Sequence, residues 1–112
     1  MARLKLKIQI YAGPDIAFGP GKAALLEAID RTGSISAAAR ALGMSYRRAW
    51  LLVDTCNRCF AAPLVETIPG GGASVTERGW AVLNSYRALE RHADSLTTTA
   101  DYRRISDSLP PD

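Results

Sequence analysis

Leu4, Leu6, Ile8 and Ile10 alternate with Lys5, Lys7 and Gln9, the period of a strand with one buried face. The pattern predicts a strand over residues 4–10. "AGPDIAFGPG" follows, with turn formers at both ends of a short extended stretch at residues 16–18. Pro20 can open a helix, because the first turn has no hydrogen bond for it to lose. Residues 22–32 read as that helix, with Leu25, Leu26, Ala28 and Ile29 on its apolar face and Gly33 at its end.

"GSISAAARALGMSYRRAW" is the most informative stretch. Ser34 or Ser36 can cap a short helix over residues 36–42, and Gly43 ends it. Ser45 can cap the next helix, over residues 46–60. Two helices joined by a short glycine-containing turn make a helix-turn-helix signature. The small side chains of "SAAARAL" let the first of the pair cross its neighbour closely, and Gly43 takes a left-handed conformation at no steric cost. In the second, Ala49, Val53, Cys56 and Phe60 recur at helical spacing, with Leu52 and Cys59 beside them.

Residues 64–68 and 73–75 read as two strands around "PGGG", a hairpin with a glycine-rich tip. Thr76 and Glu77 then open a long helix. Val82, Tyr86, Leu89, Ala93 and Leu96 are spaced four, three, four, three along it, which is a heptad seam. Trp80 and Leu83 form a second stripe. One helix with two stripes has two surfaces to satisfy: its own domain for the first half and another subunit for the second. A single wide core-facing stripe is the alternative. Residues 1–96 therefore form one domain whose helix at 76–96 serves dimerisation, and the polar residues 97–112 are expected to fray.

Cys56 and Cys59 form a C-x-x-C pair, compatible with zinc, with redox chemistry, or with plain packing. A zinc site needs four ligands, and the sequence offers no second C-x-x-C and a single histidine, His92. A redox dithiol normally opens a helix, where the helix dipole lowers a thiol pKa, whereas this pair sits near a helix end. Free cysteine behaves as a small hydrophobe, so core packing is the favoured reading and no metal or cofactor is expected.

Composition changes the picture little: 47% hydrophobic and 22% charged residues over 112 positions describe one soluble globular domain. No apolar run approaches the ~20 residues of a membrane helix, and "MARLKLKIQI" lacks the apolar block of a signal peptide. The expected compartment is the cytoplasm, with no membrane partner. The formal charge of +3 is unevenly spread. Residues 31–60 carry Arg31, Arg40, Arg47, Arg48 and Arg58 against Asp54 alone, whereas residues 92–112 carry Asp94, Asp101, Asp107 and Asp112 against Arg103 and Arg104. A basic front suits a polyanion.

Strand, helix, helix-turn-helix, hairpin and long helix make a winged helix-turn-helix, an α+β fold that is mainly α. Such a fold places its second motif helix in the major groove, with the N-terminal residues at base edges. Here these are Ser45, Tyr46 and Arg47, with Trp50 one turn on and Arg48 beside a phosphate or a base. Ser34, Ser36 and Tyr46 offer hydroxyls to phosphate. Trp50 lies off the Ala49–Val53 stripe yet is costly to expose, which leaves core and groove both open.

"GSISAAARALGMSYRRAWLLVDTCNR", "PLVET", the Gly-rich turn and "ASVTERGWAVL" together resemble the N-terminal DNA-binding domain of ModE-type molybdate-responsive transcription regulators, relatives of the LysR-type winged helix. The resemblance covers residues 4–96. It implies recognition-helix roles for Ser45, Tyr46, Arg47, Arg48 and Trp50, and a wing at residues 69–73 whose amides, including those of Gly71 and Gly72, can touch phosphate. It also implies a dimer helix at 76–96 contributing Val82, Tyr86, Leu89, Ala93 and Leu96. Two departures stand out. The wing carries no basic residue, and these 112 residues hold no counterpart of the family's molybdate-binding domains. A separate effector-sensing protein is one candidate partner, and the sequence leaves open whether there is one. The expected function is sequence-specific binding of double-stranded DNA by a homodimer that regulates transcription without catalysis. The rival is a winged-helix adapter that binds protein and no longer reads DNA.

Overall fold

A computed structural model describes residues 2–111; Met1 and Asp112, the outer ends of the two predicted segments, lie outside the described residues. The chain opens with an antiparallel hairpin, β1 (Ile10–Ala12) and β2 (Asp15–Phe18). Three helices follow: α1 (Pro20–Thr32), α2 (Ile35–Leu42) and α3 (Tyr46–Cys59). A second antiparallel hairpin, β3 (Val65–Ile68) and β4 (Gly72–Val75), pairs Val65 with Val75 and Ile68 with Gly72. The long helix α4 (Glu77–Asp94), a 3-10 turn at Ser95–Thr98 and α5 (Ala100–Asp107) complete the order. This is the winged helix-turn-helix architecture that the pattern predicts.

The helix starts are encoded locally. The hydroxyls of Ser34, Ser45 and Thr76 accept the backbone N–H groups of Ala37, Arg48 and Gly79, each at 3.0–3.1 Å, satisfying donors that a helix start leaves unpaired. Gly43 ends α2 at φ 68°, and its N–H turns back to carbonyls of the last helical turn. Burial of one stripe from each of α1, α2, α3 and α4 then forms the core. Phe18, Leu25, Leu26, Ile29, Cys56, Leu64 and Leu83 are its largest fully buried side chains. The Phe18 ring meets Tyr86 edge-on at 5.1 Å and Phe60 at 6.4 Å, a favoured aromatic geometry.

Three expectations change. The strand predicted over residues 4–10 forms only from Ile10 onward. Alternation tells which side of an extended segment is buried, but a strand also needs a paired neighbour, and residues 2–9 have none. Ile8 still packs against the core, and its carbonyl accepts a 2.8 Å hydrogen bond from the Tyr86 hydroxyl.

That bond is part of the second correction. Tyr86, placed by its heptad spacing on a seam facing another subunit, is 2% exposed within its own domain. Val82 likewise packs against the core. Only Leu89 and Leu96 remain well exposed from that set, with Ala93 half-buried. Leu96 moreover lies beyond α4, in the 3-10 turn. The hydroxyls of Ser95, Thr97, Thr98 and Thr99 donate to carbonyls three residues back, a local bonding pattern that competes with helix continuation.

Third, the polar stretch expected to fray contains α5. Thr99 caps it through the Tyr102 N–H, and Asp101 in its first turn pairs with Arg104 at 3.2 Å. None of its residues is buried. Its helicity therefore rests on capping and short-range charge rather than packing.

Candidate nucleic-acid interface

Counting 100° per residue around α3, Ala49, Val53 and Cys56 share one side, and all three are buried. The opposite side carries Arg47, Leu51, Asp54 and Arg58, with Tyr46 and Trp50 on one flank and Arg48 on the other. Tyr46 is 56% exposed, and Trp50 and Leu51 are each 46% exposed. Trp50 is thus a surface residue, which resolves the choice that the sequence leaves open.

Two depressions meet at Tyr46. One is lined by Tyr46, Arg47, Trp50 and Leu51. The other runs between α3 and the hairpin β3–β4 and is lined by Ile35, Ser36, Tyr46, Thr67, Ile68, Gly71 and Gly72. Of the expected site residues, Ser36, Tyr46, Arg47, Trp50, Gly71 and Gly72 therefore share one continuous face. Ser34, Ser45 and Arg48 line neither depression. Ser34 and Ser45 use their hydroxyl oxygens as helix caps, and Ser36 accepts from Arg40 at 3.1 Å.

The charge on this face is available. Arg47 and Arg48 have no acidic partner among the described residues. Asp54, the acid on α3, is tied to Arg58 at 2.9 Å. Two unpaired guanidiniums and no free carboxylate on one helix face favour an anion.

The hairpin is held beside α3 by side chains that sequence spacing did not single out. The Asn57 amide oxygen accepts from the backbone N–H groups of Leu64 and Val65 at 2.9 and 3.2 Å, and its amide nitrogen donates to the Val65 carbonyl at 3.0 Å. The Ala73 N–H donates to the Gly33 carbonyl at 2.9 Å. Thr76 donates its hydroxyl to the Pro63 carbonyl at 2.7 Å. At the same crossing Gly79 lies so close that a Cβ built there would stand 2.2 Å from the Leu64 carbonyl oxygen. On the far side, Arg87 reaches both carboxylate oxygens of Glu27, at 3.2 and 2.5 Å, and Glu90 at 2.7 Å. Its hydrogen bond to Glu27, then that to Glu90, holds the guanidinium above its ordinary pKa. That fork fixes α4 against α1.

The cysteines stand apart from this face. Cys56 is fully buried, with its Sγ 3.8 Å from the Ala17 carbonyl oxygen. Burial pushes its thiol up to about 12, opposed by the charge of Lys22. Cys59 is half-buried at the stripe's edge, and both thiols are free. Among the described residues no group of three or more His, Cys, Asp or Glu side chains is placed to hold a metal ion. No described helix is long and apolar enough to cross a membrane.

Fold and face together define a winged helix-turn-helix domain of the DNA-binding class. The solved structure of the CbnR DNA-binding domain in complex with DNA superimposes with a TM-score of 0.58, covering 78% of this chain and 95% of that one at 21% identity, which shows the fold. The family model for bacterial regulatory helix-turn-helix proteins of the lysR family matches residues 22–80. The chain belongs to that family. Similarity also runs to the molybdenum-pterin-binding protein MopB of Rhodobacter capsulatus, 49% identical over 85 residues, 72% of this chain and 32% of that protein. It extends to the DNA-binding transcriptional dual regulator ModE of Escherichia coli K12, 33% identical over 111 residues, 96% of this chain and 39% of that protein. The chain spans about a third of the length of the curated relatives it matches.

Proposed function

We propose that this chain is the DNA-reading part of a transcription regulator and acts as a dimer. The observation that carries the reading is the first two turns of α3. Tyr46, Arg47, Trp50 and Leu51 all stand exposed there beside the hairpin, and the acid of α3, Asp54, is held by Arg58. In the proposed complex α3 lies in the major groove, Arg47 offers paired donors to a guanine edge, and Arg48 and Ser36 meet phosphate. The amides of Gly71 and Gly72 reach the backbone as the wing. The name of the ModE relative, a DNA-binding transcriptional regulator, supports this class of activity, which requires no catalytic step.

Dimerisation is assigned to the distal part of α4 and the turn after it. Leu89 and Leu96 are 46% and 48% exposed there. Leu4, Leu6 and Ile8 line a depression with Glu90, Ala93 and Asp94, which sets the N-terminal segment beside this part of α4. Two copies joined there present two recognition helices to half-sites about one helical turn apart, or a multiple of it.

Selection from a pool of random duplexes tests the reading. The expected product is one roughly two-fold symmetric site, bound with an affinity that falls steeply with salt as counterions are released. Equal and feeble binding to every duplex would refute sequence-specific regulation and leave the protein-adapter alternative.

A further inference from the structure

Leu51 occupies an unusual place. The line of α3 directly opposite its buried stripe ordinarily takes polar residues, and here it runs Arg47, Leu51, Asp54, Arg58. Leu51 is the apolar member, 46% exposed, and it shares a depression with Tyr46, Arg47 and Trp50. Its surroundings are cationic: Arg47 and Arg48 lack acidic partners among the described residues, and Asp54 is neutralised by Arg58. An isobutyl group beside the Arg47 guanidinium matches one feature of the major groove, the 5-methyl group of thymine, which accepts apolar contact.

We infer that Leu51 is a specificity-determining residue that packs against a thymine methyl in each half-site. The inference rests on the DNA-reading function proposed above and adds the base that this side chain selects. Geometry also limits where that thymine lies. Leu51 is four residues beyond Arg47, about 6 Å along the helix axis, or one to two base-pair steps. The thymine is thus expected one or two base pairs from the position whose preference Arg47 sets.

The test is a thymine-to-deoxyuridine scan of the selected duplex, which removes one methyl at a time and leaves every hydrogen-bonding group in place. For the wild type, one position per half-site should lose about fourfold in affinity, the equivalent of ~0.8 kcal/mol for one buried methyl group. That position should lie one or two base pairs from the one at which Arg47→Ala relaxes base preference. Leu51→Ala should bind the thymine and uracil duplexes alike. Leu51→Met, which keeps an apolar tip, should retain the contrast, and Trp50→Ala should retain it even at reduced affinity. Because Leu51 is half in solvent, circular dichroism of Leu51→Ala should match the wild type. A wild-type scan with no sensitive thymine, or a contrast that survives in Leu51→Ala, overturns the inference while leaving DNA binding intact. A wild type that prefers no duplex overturns the inference together with the reading beneath it.

Discussion

Gly79→Ala adds one methyl group at the point where α4 crosses the base of the wing. Alanine is the better helix former by ~0.5–1 kcal/mol, so helix propensity alone makes the change stabilising. Position decides otherwise. The new Cβ would lie 2.2 Å from the Leu64 carbonyl oxygen, 2.8 Å from Val75 Cγ1 and 3.1 Å from the Leu64 carbonyl carbon, while non-bonded carbons settle at about 3.5–4.0 Å. The nearest atom is backbone, so it can yield only if β3 moves away from α4. Such a shift stretches the 2.9 Å bond from the Thr76 N–H to that same carbonyl. Overpacking costs ~1–3 kcal/mol; a 2.2 Å approach to a backbone atom puts this case at the upper end, so after the propensity gain a net loss of about 2 kcal/mol is expected. With a urea slope of ~1–3 kcal/mol/M for a small protein, the midpoint should fall by about 1 M. Gly21→Ala is the matched control: it lies in the first turn of α1, exposed, with no atom within 4 Å of its added Cβ. That variant should be unchanged or gain ~0.4–1 kcal/mol. Urea unfolding of both variants at fixed protein concentration decides the matter. A Gly79→Ala protein as stable as the wild type, or a Gly21→Ala protein equally damaged, would refute the close-approach reasoning.

Tyr86→Phe removes the hydroxyl that bonds Ile8 and should cost ~1 kcal/mol of stability with no change in sedimentation, because Tyr86 belongs to the core; a change in oligomeric state would restore it to a subunit seam. Leu89→Asp, on an exposed position, should keep its helical content, sediment as a monomer and lose most of its affinity for a two-fold site, because a buried charge is costly and linked half-sites become separate events. A dimeric Leu89→Asp protein would move the interface elsewhere. Arg47→Ala should lose ~1–3 kcal/mol on the selected duplex and relax one base preference, read by competition against single-substituted duplexes; undiminished selectivity would remove Arg47 from the groove. For Cys56, the thiol ionises near 9.0 in the unfolded chain and near 12 when buried, so its contribution to stability is intact below pH 9 and is lost between pH 9 and 12. At pH 10 the wild type should have lost about 1.4 kcal/mol relative to pH 8 that Cys56→Ala does not lose, and parallel pH profiles in urea unfolding would contradict a buried thiol.

What the sequence determined by itself was local. Ser34 or Ser36, Ser45 and Thr76 announce helix starts and Gly33 and Gly43 announce helix ends, because caps and left-handed turns involve neighbours three or four residues apart; the structure selects Ser34 for the first. The order of those elements was enough to read the fold, with its helix-turn-helix, its glycine-tipped hairpin and the long helix after it. The tertiary structure decided what covers each surface. Heptad spacing made Tyr86 and Leu89 equivalent, yet one is locked to Ile8, 78 positions away, and the other faces solvent. The same holds for Trp50 and Leu51, whose exposure depends on how α3 is turned against the hairpin, and for the Arg87–Glu27 fork, which spans 60 positions. Residues 4–9 carry a strand's alternation and form no strand, because the element alongside them is the helix α4 and not a strand that could pair with their backbone. Periodicity along a chain records which positions share a face; burial of that face depends on elements that only folding brings within a few ångströms of one another.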